Sequence, residues 1–222
     1  MRISVIIPTL NECKHIAQTL LCLQVMRQHG NEVILVDAGS DDNTVEVATP
    51  LCDLVIITKR GRAHQMQAGI NKSCGDVLWF LHGDTIVSEN TYFLIQQALN
   101  KHLWGRFNVT INSQYKFLRL VAFMMNLRSC ITGVCTGDQG IFVKKEIYTQ
   151  VGGFPIIPLM EDIALSKKLK RLGRPACIKT SINTSGRRWE SHGVIKTILL
   201  MWLLRMLYFF GKNPVSLKKY YK

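Results

Sequence analysis

The chain has 222 residues, 47% of them apolar and 19% charged, which is enough for one domain with a full core and too apolar for a disordered chain. Its seven cysteines, at positions 13, 22, 52, 74, 130, 135 and 177, include no Cys-x-x-Cys pair, so a zinc ribbon or a disulfide framework is not expected. The formal charge of +13 is one-sided: residues 1–100 carry 7 Lys and Arg against 10 Asp and Glu, and residues 101–222 carry 21 against 5. A basic half of this kind suits nucleic acid, an anionic membrane or a phosphorylated substrate.

In chain order, Ile3 to Ile7 is a β-branched run ended by Pro8, and it reads as a buried strand with a sharp exit. It is too short and too strand-like for a signal peptide, and with unpaired cysteines it implies a reducing cytoplasm. A helix is predicted from about Cys13 to Gln28, closed by Gly30. Val33 to Val36 is a second strand, ending in the turn-rich Asp37-Ala38-Gly39-Ser40-Asp41-Asp42-Asn43, where Asp41 or Asp42 could cap a helix from Thr44. Leu54 to Thr58 is a third strand, and Ala63 to Ser73 a helix. Val77 to Leu81, five apolar residues in a row, reads as a strand buried on both faces, stopping at His82-Gly83-Asp84. Strand and helix alternate with short connections, the pattern of a doubly wound α/β sheet.

The second half is less regular. Helices are predicted over Glu89 to Lys101, with Ser88 as its cap, over Phe117 to Leu127, around Lys145 to Val151, and from Glu161 to about Leu172; strands over Arg106 to Asn112, Gly140 to Val143 and Cys177 to Ile182. His192 to Phe210 reads as one long apolar helix, with a basic, aromatic tail through Lys222. No run of about 18 uninterrupted apolar residues exists, so no transmembrane helix is expected. Lys196 and Arg205 could snorkel while Trp202, Tyr208 and Phe210 sit at an interface, which describes a helix lying on an anionic membrane; packing against Phe117 to Leu127, or in a dimer, is the other reading. The division expected is a domain over 1–190, its nucleotide half at about 1–100 and its acceptor half at about 101–190, followed by an amphipathic helix and basic tail over 191–222.

Carboxylates recur at strand ends and helix starts: Glu12 after the first strand, Asp37 at the end of the second, Asp84 after the fourth, and Glu161-Asp162 opening a late helix. Ligands of open α/β sheets bind outside the carboxyl ends of the strands, so such acids converge on one crevice fit for a nucleotide and a hard divalent cation. The chain lacks Gly-x-x-x-x-Gly-Lys-Ser/Thr, Gly-x-Gly-x-x-Gly after the first strand, and Gly-x-Ser-x-Gly, which speaks against a P-loop NTPase, a dinucleotide-dependent dehydrogenase and an α/β-hydrolase. No nucleic-acid-binding motif is present, and no nucleic-acid partner is expected.

Pro8-Thr9-Leu10-Asn11-Glu12, Val36 to Thr44, His82-Gly83-Asp84 and Glu161-Asp162 occur in an order and spacing that resembles the family 2 glycosyltransferases of the GT-A fold, over roughly residues 3–190. Gly61 to Gly69 and Arg187-Arg188-Trp189-Glu190 resemble a branch of short, single-domain bacterial members. The resemblance implies a mostly parallel Rossmann-like sheet with helices on both faces. It implies a hexosyltransferase that inverts, assisted by Mn²⁺ or Mg²⁺, moving sugar from a UDP-sugar to a hydroxyl acceptor; a lipid-linked acceptor follows if the helix from His192 lies on a membrane. By that resemblance Pro8, Thr9, Asn11 and Glu12 line the nucleotide pocket, Asp37 accepts from the uracil NH, and Gly39, Ser40, Gly83 and Asp138 belong to the same donor site. Arg62 lies near the diphosphate, Asp84 binds the cation, and Asp162, beside Glu161, is the general base. His82 stands where the family has the first Asp of Asp-x-Asp, and it either joins Asp84 on the cation or hydrogen-bonds the donor. Ser185 stands where processive members have the Gln of Gln-x-x-Arg-Trp, so a non-processive enzyme is expected, with Arg187, Arg188 and Trp189 toward the acceptor. Rival readings are a sugar nucleotidyltransferase and a basic nucleic-acid- or membrane-binding protein on an inactive GT-A fold.

Overall fold

The computed structural model describes residues 1–221, with Arg188 and His192 described by their backbone only. Seven strands form one sheet in the order β3-β2-β1-β4-β6-β5-β7. They are β1 (Ile3–Thr9), β2 (Glu32–Asp37), β3 (Leu54–Ile57), β4 (Val77–Phe80), β5 (Trp104–Asn112), β6 (Phe142–Lys144) and β7 (Ala176–Ser185). The first four are mutually parallel; β6 runs antiparallel to both β4 and β5, and β7 is parallel to β5. Six strands therefore point the same way, and their carboxyl ends share one edge of the sheet.

Alternation along the central strands explains why they read as continuous apolar runs. Ile3, Val5 and Ile7, Val33 and Leu35, and Val77, Trp79 and Leu81 face one core; Ile6, Ile34 and Val36, and Leu78 and Phe80 face the other. Side chains alternate across a strand, so a sheet covered on both faces needs apolar residues at every position. The first core is closed by α1 (Cys13–Leu21) and α5 (Thr91–Leu99), the second by α4 (Arg62–Lys72), α7 (Lys145–Gln150) and α8 (Glu161–Leu169). Gly69 lets α4 approach closely, since a Cβ there would sit 2.6 Å from the Ile6 side chain.

Several element boundaries depart from the sequence reading. The predicted helix Cys13 to Gln28 is two helices, α1 and α2 (Gln24–Gln28), because the Gln24 side-chain amide donates to the Leu20 carbonyl at 2.8 Å, where the backbone N–H of a continuous helix would bond. Ser88 does not cap α5; its hydroxyl bonds Asn90, the N-cap position, and its carbonyl accepts from the Thr91 N–H. Asp42 takes the Thr44 N–H at the start of α3 (Thr44–Ala48). The helix begun at Phe117 runs further than predicted, as α6 (Phe117–Thr132), to a left-handed Gly133.

The long helix predicted over 192–210 is broken. A short α9 (Arg187–His192) is separated from α10 (Val194–Phe209) by Gly193, whose φ of 82° no helix accommodates. The tail folds as α11 (Pro214–Lys218), with Asn213 accepting from the Val215 N–H. Lys222 lies outside the described residues. None of the described helices is long and apolar enough to cross a membrane, and all seven cysteines are free of disulfides.

Candidate active site

A cleft of about 410 Å³ opens at the carboxyl edge of the sheet. Pro8, Thr9 and Glu12 reach it from the end of β1, His82, Gly83 and Asp84 from the end of β4, and Thr184 and Ser185 from the end of β7. Arg62 comes from the first turn of α4, Asp138 from the 3-10 turn Gly137–Gln139, Asp162 from the first turn of α8, and Arg205 from α10. Four carboxylates separated by up to 150 positions of sequence thus meet in one place, as the strand-end rule predicts.

Asp84 and Glu12 are joined by Arg187. One guanidinium nitrogen lies 2.7 Å from Glu12 Oε2 and 3.4 Å from Asp84 Oδ2, and the Thr184 hydroxyl is 3.4 Å from Asp84 Oδ1. Burial pushes the Glu12 pKa up, and the bond from Arg187 works against that shift. The sequence reading placed Arg187 with the acceptor; its structural partners are instead the two acids assigned to the donor. Nothing in the local sequence signals this, because the partners lie 175 and 103 positions away.

Asp162 faces the cleft with its Oδ2 accepting from the Gly137 N–H at 2.7 Å. Gly137 is required there: a Cβ would stand 2.8 Å from His82 Nε2 and 3.6 Å from Asp162 Oδ2. The turn is itself held from behind. The Gln139 amide donates to Ser129 Oγ at 2.8 Å, and Ser166 Oγ, on α8, both accepts from the Cys135 N–H and donates to its carbonyl. Glu161, predicted as a catalytic partner of Asp162, lies behind the wall instead. It is buried, 3.6 Å from Arg62, and acts on the cleft by holding that arginine.

Two atoms of the lining are orphaned. His82 Nε2 and Asp138 Oδ1 are buried without a hydrogen-bond partner among the described residues. Burial, then the positive charge of Arg62, brings the His82 pKa down to about 3, so the imidazole is neutral at ordinary pH. Burial likewise raises the Asp138 pKa. Unpaired polar atoms are costly inside a protein, and these two are placed to take bonds from a group bound in the cleft.

Asp37, Gly39, Ser40 and Asn11 stand outside the cleft lining. Asp37 is fully buried, and its carboxylate already accepts from Gly39 N at 2.9 Å, Ser40 N at 2.8 Å, Ser40 Oγ at 2.5 Å and Thr9 Oγ1 at 3.2 Å. Asn11, at φ 56°, accepts from the Asp41 N–H and places its own N–H on Ser40 Oγ. These residues therefore shape the β1 and β2 ends as one unit, with both Asp37 carboxylate oxygens already engaged. Residues that the sequence reading did not single out, among them Gln65, Thr136, Thr197, Met201 and Tyr221, complete the lining.

The open α/β sheet with an acid-lined cleft at its carboxyl edge is the architecture of GT-A glycosyltransferases. Structures that share it include TarS residues 1–349 of S. aureus in complex with UDP, at a TM-score of 0.69 and 19% identity over 83% of this chain and 60% of that one. Another is the mannosyltransferase PcManGT of Pyrobaculum calidifontis in complex with GDP-Man and Mn²⁺, at a TM-score of 0.65 and 19% identity over 82% of this chain and 56% of that one. The sequence model of Glycosyl transferase family 2 matches residues 4–121, and the chain belongs to that family. Among curated proteins it is similar to the poly-beta-1,6-N-acetyl-D-glucosamine synthase of Staphylococcus aureus, at 27% identity over 73% of this chain and 44% of the synthase. The chain thus spans less than half the length of that relative.

Proposed function

We propose that this chain moves a sugar from a UDP-sugar to a hydroxyl acceptor in one inverting, non-processive step. The observation that carries the reading is the convergence of Glu12, Asp84, Asp138 and Asp162 with Arg62 and Arg187 on one cleft at the carboxyl ends of β1, β4 and β7. Complexes of TarS with UDP and with UDP-GlcNAc favour uridine in the donor.

The nucleoside end lies against Pro8, Thr9 and Glu12, backed by the Asp37–Gly39–Ser40 unit. Arg62 and Arg187 face the diphosphate and offset the charge that develops as it leaves. Asp162, oriented by the Gly137 N–H, takes the proton of the acceptor hydroxyl while that oxygen attacks the anomeric carbon and the bond to the diphosphate breaks. One base suffices for a single in-line displacement, so no covalent sugar–enzyme intermediate forms. The orphaned Asp138 Oδ1 offers a hydrogen-bond acceptor to a sugar hydroxyl beside it.

The donor set fits a divalent cation in the manner of a metal shared with substrate. No three His, Cys, Asp or Glu side chains form a closed metal cage among the described residues. A cation bound through one or two carboxylates and the donor's phosphates needs no such cage. Asp84 would supply a carboxylate, and the neutral His82 imidazole, which lines the same cleft, would be a second ligand suited to Mn²⁺. Arg187 already shows that positive charge is at home between Glu12 and Asp84. When bound, a cation supplies further stabilisation to the leaving diphosphate.

The test is a panel of UDP- and GDP-sugars incubated with Mn²⁺, reading release of the nucleoside diphosphate. Turnover of a UDP-sugar that Asp162→Asn lowers by about 10²–10⁴, with nucleotide affinity retained, supports the reading. Turnover confined to GDP-sugars overturns the uridine assignment, and full activity in Asp162→Asn overturns the base.

A further inference from the structure

Helices α6 and α10 each bury one face and expose another that is equally apolar. Leu118, Ala122 and Met125 of α6 pack on Val109 and Ile111 of β5, while Leu204 of α10 packs with Leu159, Met160, Ile163 and Leu217. On the opposite side of α6, Phe117, Leu120, Met124, Leu127 and Ile131 follow one another at helical spacing. On α10 the same is true of Ile195, Leu199, Trp202, Met206 and Phe209. All ten are between 43% and 73% exposed, so these stripes have no cover among the described residues. Monomeric soluble proteins rarely leave continuous apolar surface of this extent uncovered.

The two helices are neighbours. Tyr115 and Phe117, just before and at the start of α6, and Val194, Ile195 and Lys196 at the start of α10 line a mostly apolar groove of about 450 Å³, closed on one side by Trp189 and Glu190, whose carboxylate accepts from the Ser113 hydroxyl. Further along, Arg128 of α6 and Arg205 of α10 are close enough that burial and then this like charge bring the Arg128 pKa down to about 10. Trp189 also lines the catalytic cleft, so groove and cleft meet at one side chain.

Charge selects the occupant. Residues 113–133 and 191–221 contain no Asp or Glu, and the single acid at the groove, Glu190, is held by the Ser113 hydroxyl. Lys116, Arg119, Lys196, Lys212, Lys218 and Lys219 are all exposed around the stripes. A second copy pairing through the same face would set these cations against their equivalents, since a two-fold contact joins a patch to itself. An anionic bilayer neutralises them and takes the apolar stripes into its interface. Each helix is about 24 Å long and spans nothing; it lies along the surface.

We infer that the face built from α6 and α10 lies on an anionic lipid bilayer, and that the acceptor is an amphiphile of that bilayer whose apolar part enters the groove beside Trp189 while its hydroxyl reaches Asp162. The second part rests on the reading of the cleft as a glycosyl-transfer site; the first stands on the surface alone.

Flotation of the full chain with vesicles of phosphatidylcholine alone, and of phosphatidylcholine with phosphatidylglycerol, tests it, alongside light scattering for oligomeric state and calorimetric UDP binding. Two double variants carry the contrast: Leu120→Glu with Leu127→Glu on α6, and Leu199→Glu with Trp202→Glu on α10. The expected result is binding to the anionic vesicles only, reduced at high salt, and lowered at least tenfold by either pair. Removal of a single rim lysine costs about fivefold. UDP affinity stays unchanged in both pairs, which separates failure of the surface from failure of the transferase reading. A wild-type chain that remains soluble beside anionic vesicles at low salt overturns the inference. So does a dimer that either pair dissociates with no vesicle binding, and so does anionic binding to which the α6 pair is indifferent. Transfer to a water-soluble acceptor that is unaffected by vesicles overturns the amphiphilic acceptor while leaving the donor site standing.

Discussion

Glu32 and Asp84 lie at opposite ends of the parallel sheet, and their surroundings differ in kind. Glu32, at the start of β2, is buried and fully engaged: it accepts from Ser4 Oγ, from Cys74 N at 2.6 Å and from Gly75 N at 3.1 Å, and pairs with Arg2 at 3.2 Å. Asp84, just past β4, has two partners among the described residues, both at 3.4 Å, and on the same cleft wall His82 Nε2 and Asp138 Oδ1 have none among them. At Glu32 the hydrogen-bonding capacity is spent on the fold, as it also is at Asp37, whereas around Asp84, His82 and Asp138 some is kept in reserve. That reserve, more than the presence of acids, distinguishes a site from a scaffold.

The largest effect that sharpens this contrast is expected in the cleft. Asp162→Asn removes the base and lowers transfer by about 10²–10⁴ without changing the thermal midpoint appreciably, as steady-state rates and calorimetry of the same preparation will show. Asp84→Asn is expected to act on binding: affinity for UDP falls by about tenfold or more in the presence of Mn²⁺ and little in its absence, because the amide is a poor ligand for a hard cation. The scaffold end gives the mirror result. Glu32→Ala strands the Ser4 hydroxyl and the Cys74 N–H and costs on the order of 3 kcal/mol of stability by denaturant titration, while UDP affinity per folded molecule is unchanged. An effect of Glu32→Ala on nucleotide affinity would break the comparison.

The last effect is a pH dependence. The native His82 pKa lies at about 3, against about 6.5 in an unfolded chain. As pH falls through this window the unfolded chain takes up a proton that native His82 refuses, so stability is lost with acidification. The fall in thermal midpoint between about pH 7 and about pH 4, measured with a chelator present, is expected to be shallower in His82→Asn than in wild type. Equal slopes would mean that the imidazole is hydrated in the native state.

The sheet and the acids of the cleft were legible in the sequence because both follow from local rules. Val77 to Leu81 could be buried only in a covered central strand, and Glu12, Asp84 and Asp162 follow strands or begin helices whose ends converge by topology. What was not legible depends on contacts distant in sequence. Arg187 meets Glu12 across 175 positions. The burial of Asp37 beneath Ser40 and Thr9 depends on how two loops pack, and the retreat of Glu161 behind Arg62 on the turn that α8 presents. The second half resisted reading for a related reason. Apolar residues on two faces of α6 and α10 give one unbroken signal, and only the fold separates the face packed on the domain from the face turned outward. Arg188, expected near the acceptor, has its side chain outside the described residues.

The most direct measurement is calorimetric titration of UDP into the wild-type chain and Asp84→Asn, each with and without Mn²⁺. Metal-dependent binding to wild type that Asp84→Asn abolishes is the predicted result. Binding of UDP to wild type that is equally tight with and without Mn²⁺, or that survives Asp84→Asn undiminished, would contradict the assignment of this cleft as a metal-assisted donor site.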